Sequence, residues 1–263
     1  MRVAICISGE FRTFKQNYKA LMQNMIEPYN ADVFISSWTK SSAMDIQGNK
    51  TELIIDKKEI LEMYKPKGLK LYDFEENYFY ELKGIKIPEA LIKAKPNHFR
   101  ANLPQFYLMK DCNNQKTAYE DKNKFKYDVV IRTRFDLLPF KKINLNTLDL
   151  KKIYLKHIIN DTYYCDQFAI SSSELIDKYT SVFDRLESYW KNPLQDGQFK
   201  NILNGETLMR HHLLSNDYPH ERLWVKFPII RFNESKLDKL KKIYINNIKN
   251  IVYIIFVKLK FKK

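Results

Sequence analysis

Arg132, Arg134 and Asp136 lie two residues apart in the stretch Tyr127–Phe140, YDVVIRTRFDLLPF. In an extended chain alternate residues share a face, so this spacing predicts that all three point to one side. Guanidinium groups offer forked donors, keep their charge and match phosphate oxygens. A carboxylate beside them suits a hard divalent cation, which takes oxygen ligands and often shares them with the phosphates of a substrate. The chemistry suggested is an anionic ligand, a divalent metal, or both. A structural ion pair at a strand end is the plainer alternative.

The elements around these residues give them a place. Val129, Val130 and Ile131 are consecutive and β-branched, which predicts a central strand buried on both faces. Pro139 marks the end of regular pairing. The charges then fall at the carboxyl end of a buried strand, where open α/β sheets bind ligands. A second group follows the apolar run Arg2–Ile7: Ser8, Gly9, Glu10, Phe11, Arg12 and Thr13. After it Phe14, Tyr18, Leu21, Met22, Met25 and Ile26 recur at helical spacing, up to Pro28. A turn between strand and helix can present backbone N–H groups to a phosphate, which makes Ser8, Gly9, Glu10, Arg12 and Thr13 candidate nucleotide contacts. One glycine is not a GxGxxG, and an ordinary βα turn fits as well. Asp32–Ser37 reads as the next strand and completes a βαβ unit. Further on, Asp166 opens the run DQFAI and Glu206 opens a helix; both are carboxylates available for general-base work. His211 and His212 are adjacent, so they diverge on a helix and form no metal-ligand spacing with His220.

The remaining elements predict an α/β domain over residues 1–233, Rossmann-like, with a mixed, mostly parallel sheet flanked by helices. Residues Thr39–Lys50 read as a surface loop, Asp56–Tyr64 as a helix and Leu69–Tyr72 as a strand. Glu75–Asn97 reads as a variable insertion and Pro104–Asp121 as a helix. Lys151–His157 and Tyr163–Ser171 read as strand-like. Glu174–Tyr189 and Gly205–Leu214 read as helices, and Arg222–Phe227 as a late strand. Residues 234–263 form a different unit, a basic amphipathic tail. Leu237, Leu240, Tyr244, Ile248, Ile251, Val252, Ile255 and Leu259 recur at helical spacing among many lysines. This pattern suits the surface of an anionic bilayer; a helix capping the core is the alternative.

The chain of 263 residues carries a formal charge of +14 and has a pI near 9.4. A nucleic acid, an anionic membrane or a phosphate-bearing substrate would each account for that excess. The basic residues crowd into the tail and no nucleic-acid module is readable, so no nucleic acid is expected. Cys6, Cys112 and Cys165 are far apart and form no CxxC, which argues against a zinc site or a disulfide framework and for a reducing cytoplasm. No apolar stretch is long enough to span a bilayer, and the first residues do not read as a signal peptide. No serine nucleophile elbow, P-loop or zinc-protease motif is present.

Four segments, AICISGEFRTF, ADVFISSW, VVIRTRFDL and DQFAIS, together resemble bacterial surface-polysaccharide glycosyltransferases. These are the small GT-A-like enzymes encoded with capsule and lipopolysaccharide genes. The similarity covers roughly Met1–Leu214. The resemblance implies a nucleotide-sugar donor and a glycan or lipid-linked glycan acceptor. In GT-A enzymes an Asp-x-Asp at a central strand end holds Mn²⁺ or Mg²⁺ against the donor diphosphate. The matching triplet here is Arg134-Phe135-Asp136, so Asp136 is left as the metal ligand and Arg132 or Arg134 as direct partners of the diphosphate. Asp166 is the first choice of base and Glu206 the second. The expected location is cytoplasmic, peripheral on the cytoplasmic face of the inner membrane through the tail. A phosphoryl- or phosphoramidate-type transferase acting on the same glycan is one rival. A non-enzymatic basic membrane- or nucleic-acid-binding protein is the other.

Overall fold

A computed structural model describes residues 1–44, 49–73, 96–191, 204–225 and 227–231. The tail beyond Arg231 and most of the Glu75–Asn97 insertion lie outside the described residues. In chain order the strands are β1 (Val3–Ser8), β2 (Asp32–Trp38), β3 (Lys40–Met44), β4 (Lys50–Ile54), β5 (Gly68–Tyr72), β6 (Val129–Thr133), β7 (Ile153–Leu155), β8 (Ile158–Ile159), β9 (Tyr163–Tyr164), β10 (Ala169–Ser171) and β11 (His220–Arg222). The α-helices are α1 (Phe14–Leu21), α2 (Lys57–Tyr64), α3 (Pro96–Asn123), α4 (Ser173–Thr180), α5 (Leu186–Lys191) and α6 (Gly205–Ser215).

Val3–Ile7 and Val129–Ile131 have no polar face, and every residue of β1 and β6 is buried. The two strands pair in parallel at the middle of a seven-stranded sheet of order β11-β7-β10-β6-β1-β2-β5. β2 and β5 continue in parallel on one side. On the other side β10 runs antiparallel to both β6 and β7, and β11 is parallel to β7. The sheet is therefore mixed and mostly parallel, with β10 the reversed strand. The chain steps from β1 outward to β2 and β5, then returns to place β6 on the opposite side of β1. That reversal makes the carboxyl ends of β1 and β6 a topological switch point, the usual place for a ligand crevice.

Helix α3 packs across β1 and β2, with the Cys112 thiol donating to the Phe34 carbonyl at 3.2 Å. Its other side is tied to α4 by ions. The Lys116 ammonium, fully buried, lies 3.3 Å from Glu120 and 2.8 Å from Asp177. An isolated charge could not be buried there at tolerable cost; the paired carboxylates make it possible.

Several expected boundaries shift. Thr39–Lys50 is not a plain loop: β3 pairs with β4 in an antiparallel hairpin. Its sequences, KSSAM and KTELI, carry no strict apolar alternation, so no period-2 signal marks it. Helix α3 starts at Pro96, and Pro104 lies inside it rather than opening it. Glu174–Tyr189 breaks into α4, a 3₁₀ turn at Phe183–Arg185, and α5. Tyr163–Ser171 splits into β9 and β10, and the late strand is His220–Arg222 rather than Arg222–Phe227.

Candidate functional site

Two turns meet at the switch point. After β1 the chain must bend at once, and Gly9 does so at φ 118°, a conformation that side-chain-bearing residues rarely adopt. Arg12 also takes a left-handed conformation, φ 37°, and its N–H donates to Ser41 Oγ at 3.1 Å. A non-glycine residue held there is strained, and such strain collects at functional sites. The turn after β6 lies alongside. Phe135 stacks on Phe11 with ring centroids 4.4 Å apart, and Asn17 Nδ2 donates to the Phe135 carbonyl at 2.9 Å.

These contacts bring the predicted charges into one network. Arg134 grips Asp136 bidentately: Nε reaches Oδ1 at 2.9 Å and Nη2 reaches Oδ2 at 2.5 Å. Arg12 Nη1 reaches the same Oδ2 at 3.3 Å, and its Nη2 lies 3.3 Å from Glu10 Oε1. Glu10 in turn accepts from the Ser42 N–H at 3.0 Å, which ties the β3–β4 hairpin to the turn. On the far side Arg134 Nη1 donates to Gln105 Oε1 at 3.2 Å, and Gln105 Nε2 donates to Asp166 Oδ2 at 2.7 Å. One chain of contacts thus runs from Glu10 through Arg12, Asp136, Arg134 and Gln105 to Asp166. Burial alone would push the Asp136 carboxyl up, but Arg134 and Arg12 outweigh it and hold the group below the usual carboxylate range.

A cleft of about 60 Å³ opens beside this network, lined by Arg12, Thr13, Ser42, Asp136, Ile229, Ile230 and Arg231. The Ile230 N–H donates to the Asp136 carbonyl at 2.8 Å, which fixes residues 227–231 as the opposite wall. A second cavity, about 210 Å³, shares Arg12 and Thr13 and continues between the start of α1 and Leu53–Ile55.

The other predicted residues divide. Thr13 and Ser8 are buried, and Ser8 Oγ has no partner among the described residues. Asp166 is brought in: its side chain rests against the first turn of α6, where Gly205 leaves room for it. A Cβ on Gly205 would sit 2.3 Å from Asp166 Oδ2. The second carboxylate oxygen, Oδ1, is buried without a hydrogen-bond partner among the described residues. Glu206 turns away to His157, with Oε1 2.7 Å from Nε2. Burial would lower the His157 pKa, but hydrogen bonds to Cys165 and Glu206 raise it to about 9. Arg132 does not join Arg134 and Asp136. It is 1% exposed beneath them, and none of its three guanidinium nitrogens has a hydrogen-bond partner among the described residues. The strand ends at Thr133, so the two-residue repeat that would align all three charges stops short.

The donor set does not fit a divalent cation as arranged. Asp136 is the carboxylate at this strand end, both its oxygens are engaged by guanidinium groups, and its side chain is 2% exposed. A cation there would face two arginines. The geometry instead suits an anion exchanging with Asp136 or Glu10 for the arginines.

A family model matches residues 1–175, two thirds of the chain. The chain belongs to the DUF7796 family. That family is described as a domain of unknown function. The DUF7796 match takes in β1 through β10 and includes both turns, Gln105, His157 and Asp166, while Glu206 lies beyond it. No curated protein matches the chain.

Three members of the site carry no motif. Gln105 lies one residue beyond Pro104 and gives no signal of its own. Lys156, which donates to Gln167 Oε1 at 2.9 Å, and His157 precede a hairpin whose Asn160-Asp161 turn could have been read. Both turn residues have positive φ, the pattern of a type I′ turn, which Asn and Asp accept more readily than most side chains.

Proposed function

We propose that this chain is a glycosyltransferase that moves a sugar from a nucleotide-sugar donor to a bacterial surface glycan, capsule or lipopolysaccharide. One observation carries the reading: Arg12 and Arg134 converge on Asp136 at the carboxyl ends of β1 and β6, beside an open cleft. The motif resemblance supports it, and a mostly parallel sheet with one reversed strand agrees with a GT-A-like domain. In this reading the donor diphosphate lies in the cleft against Arg12 and Arg231, with Arg134 paired to Asp136 beside it. The 210 Å³ cavity beside it has room for the nucleoside.

The arginines act where charge develops. As the sugar leaves, the nucleoside diphosphate gains negative charge, and fixed guanidinium groups stabilise it without reorganising. Asp136 keeps Arg134 and Arg12 aimed. Asp166, held through Oδ2 by Gln105, is the base in this reading. Glu206 orients His157 rather than serving as the base. The tail carries the domain to the anionic inner-membrane surface, where a lipid-linked acceptor would lie.

Incubation with nucleotide-sugar donors and glycan acceptors, read by mass spectrometry, tests the reading. A hexose-type mass gain that Asp166→Asn abolishes is expected. Transfer of a phosphoryl or phosphoramidate mass, or undiminished transfer by Asp166→Asn, would overturn it.

A further inference from the structure

The two carboxylates beside the cleft are held very differently. The Asp136 side chain is 2% exposed, and Arg134 meets both its oxygens. The Glu10 side chain is 28% exposed and meets one guanidinium nitrogen, Arg12 Nη2, at 3.3 Å. Its other partners come from the β3–β4 hairpin. Glu10 Oε2 accepts from the Ser42 N–H at 3.0 Å, from Ser42 Oγ at 3.2 Å and from Ser41 Oγ at 3.4 Å. Ser41 Oγ also accepts from the Arg12 N–H at 3.1 Å, so its own proton is left to point at Glu10.

A guanidinium N–H, a backbone N–H and two hydroxyls thus converge on one carboxylate. The same donors suit the oxygens of a phosphate. They face the cleft, because Arg12 and Ser42 both line it. The hairpin also joins the cleft to the larger cavity. Across it Ser41 pairs with Leu53 and Ser42 with Glu52, and Glu52 and Leu53 wall that cavity. Arg12, at φ 37°, is fixed from both ends by these contacts: Ser41 holds its N–H and Glu10 its guanidinium. A strained backbone of this kind persists only where its surroundings dictate it.

We propose that Arg12, Ser41 and Ser42 form an oxyanion seat in which the Glu10 carboxylate stands as a built-in competitor, and that the terminal phosphate of a nucleoside diphosphate enters by displacing Glu10. The choice of ligand rests on the diphosphate reading of the cleft. Inorganic phosphate and pyrophosphate offer the same oxygens to the same donors. Glu10 yields and Asp136 does not. Taking Arg134 from Asp136 would leave a buried charge unpaired, which is costly. Glu10 turns out into water, where its charge stays hydrated, and an ion pair as exposed as Glu10–Arg12 holds it only weakly. While Glu10 remains, its charge repels any anion that approaches the same donors. The exchange breaks no covalent bond. Arg12 faces a negative group before and after it, and the serines trade carboxylate oxygens for phosphate oxygens.

Calorimetric titration of the full chain with inorganic pyrophosphate, at fixed ionic strength, tests the seat. Glu10→Gln keeps the shape and removes the competing charge, so it should bind pyrophosphate on the order of tenfold more tightly than the native chain. Glu62→Gln removes the same charge from an exposed position on α2 and should change the affinity by less than about twofold, because salt screens distant surface charges. Adding Ser42→Ala to Glu10→Gln should take back about threefold of the gain, the worth of one hydrogen bond. No tighter binding by Glu10→Gln, an equal gain from Glu62→Gln, or a gain that Ser42→Ala leaves whole would overturn the proposal. A second measurement needs no variant. In the native chain the Ser42 amide signal should move as pyrophosphate is added, because its acceptor changes from carboxylate to phosphate; a signal that stays fixed would also overturn the proposal. If pyrophosphate behaves as expected and a nucleoside adds no affinity, the seat stands and the nucleotide reading falls. If a nucleoside diphosphate binds and Glu10→Gln does not tighten it, the seat falls and the nucleotide reading stands.

Discussion

The pairing of His157 with Glu206 makes stability depend on pH in a definite direction. The imidazole is raised from 6.5 to about 9, so the folded state holds its proton more tightly than the unfolded chain does. The stabilisation is complete below about pH 6.5 and disappears as pH rises through about 9. At about 1.4 kcal/mol per pH unit of separation, the whole effect is at most roughly 3 kcal/mol. Glu206 supplies part of it and Cys165 the rest, and both His157 and Glu206 are mainly shielded from solvent. Glu206→Gln keeps the shape and removes the charge. It should cost about 1.5 kcal/mol near neutral pH, the low end of the value of a hydrogen bond to a charged group. Urea unfolding of both chains, repeated from about pH 6 to pH 10, should show that gap closing at the alkaline end. An NMR titration of the imidazole should show a lower midpoint in the variant. A gap unchanged across the range, or a native His157 titrating near 6.5, would refute the reasoning.

Two further perturbations report on the framework. Lys116→Met leaves the buried Glu120 with Lys126, at 3.2 Å, as its remaining ammonium. It should cost less than the roughly 3–5 kcal/mol of an uncompensated buried charge, about 2 kcal/mol in urea unfolding; a loss near zero would mean that Lys126 compensates Glu120 fully. Gly205→Ala, stabilising in an ordinary helix by propensity alone, should here lower stability by about 1–3 kcal/mol. The added methyl meets Asp166 Oδ2, held in place by Gln105. A stabilised Gly205→Ala would mean that Asp166 moves freely.

The centre of the fold was legible because its residues leave no choice. Val129–Ile131 and Val3–Ile7 have nowhere to go but a doubly covered sheet, and Gly9 marks the only sharp way out of β1. The helix expected over Asp56–Tyr64 is present, with Asp56 as its N-cap, accepting from the Lys58 N–H at 2.8 Å. The β3–β4 hairpin and the break between α4 and α5 were not legible, since exposed hairpins and 3₁₀ turns carry little periodicity. At the site, residue types were readable and partners were not. Spacing placed Arg134 and Asp136 correctly, yet aligned Arg132 with them, because nothing in RTRFD says that the strand stops at Thr133. Nor does the sequence around Glu206 say that its carboxylate belongs to a histidine 49 residues earlier.

The central claim is that the carboxyl ends of β1 and β6 hold a diphosphate. Thermal unfolding of the full chain against a panel of nucleoside diphosphates, each with and without Mn²⁺, tests it most directly. One nucleoside diphosphate should stabilise the chain selectively, by about 2.7 kcal/mol at a hundredfold excess over Kd. The shift should persist without Mn²⁺, because arginines rather than a cation meet the phosphates, and Arg134→Gln should abolish it. No stabilisation by any nucleoside diphosphate, or a shift that Arg134→Gln leaves intact, would contradict the account.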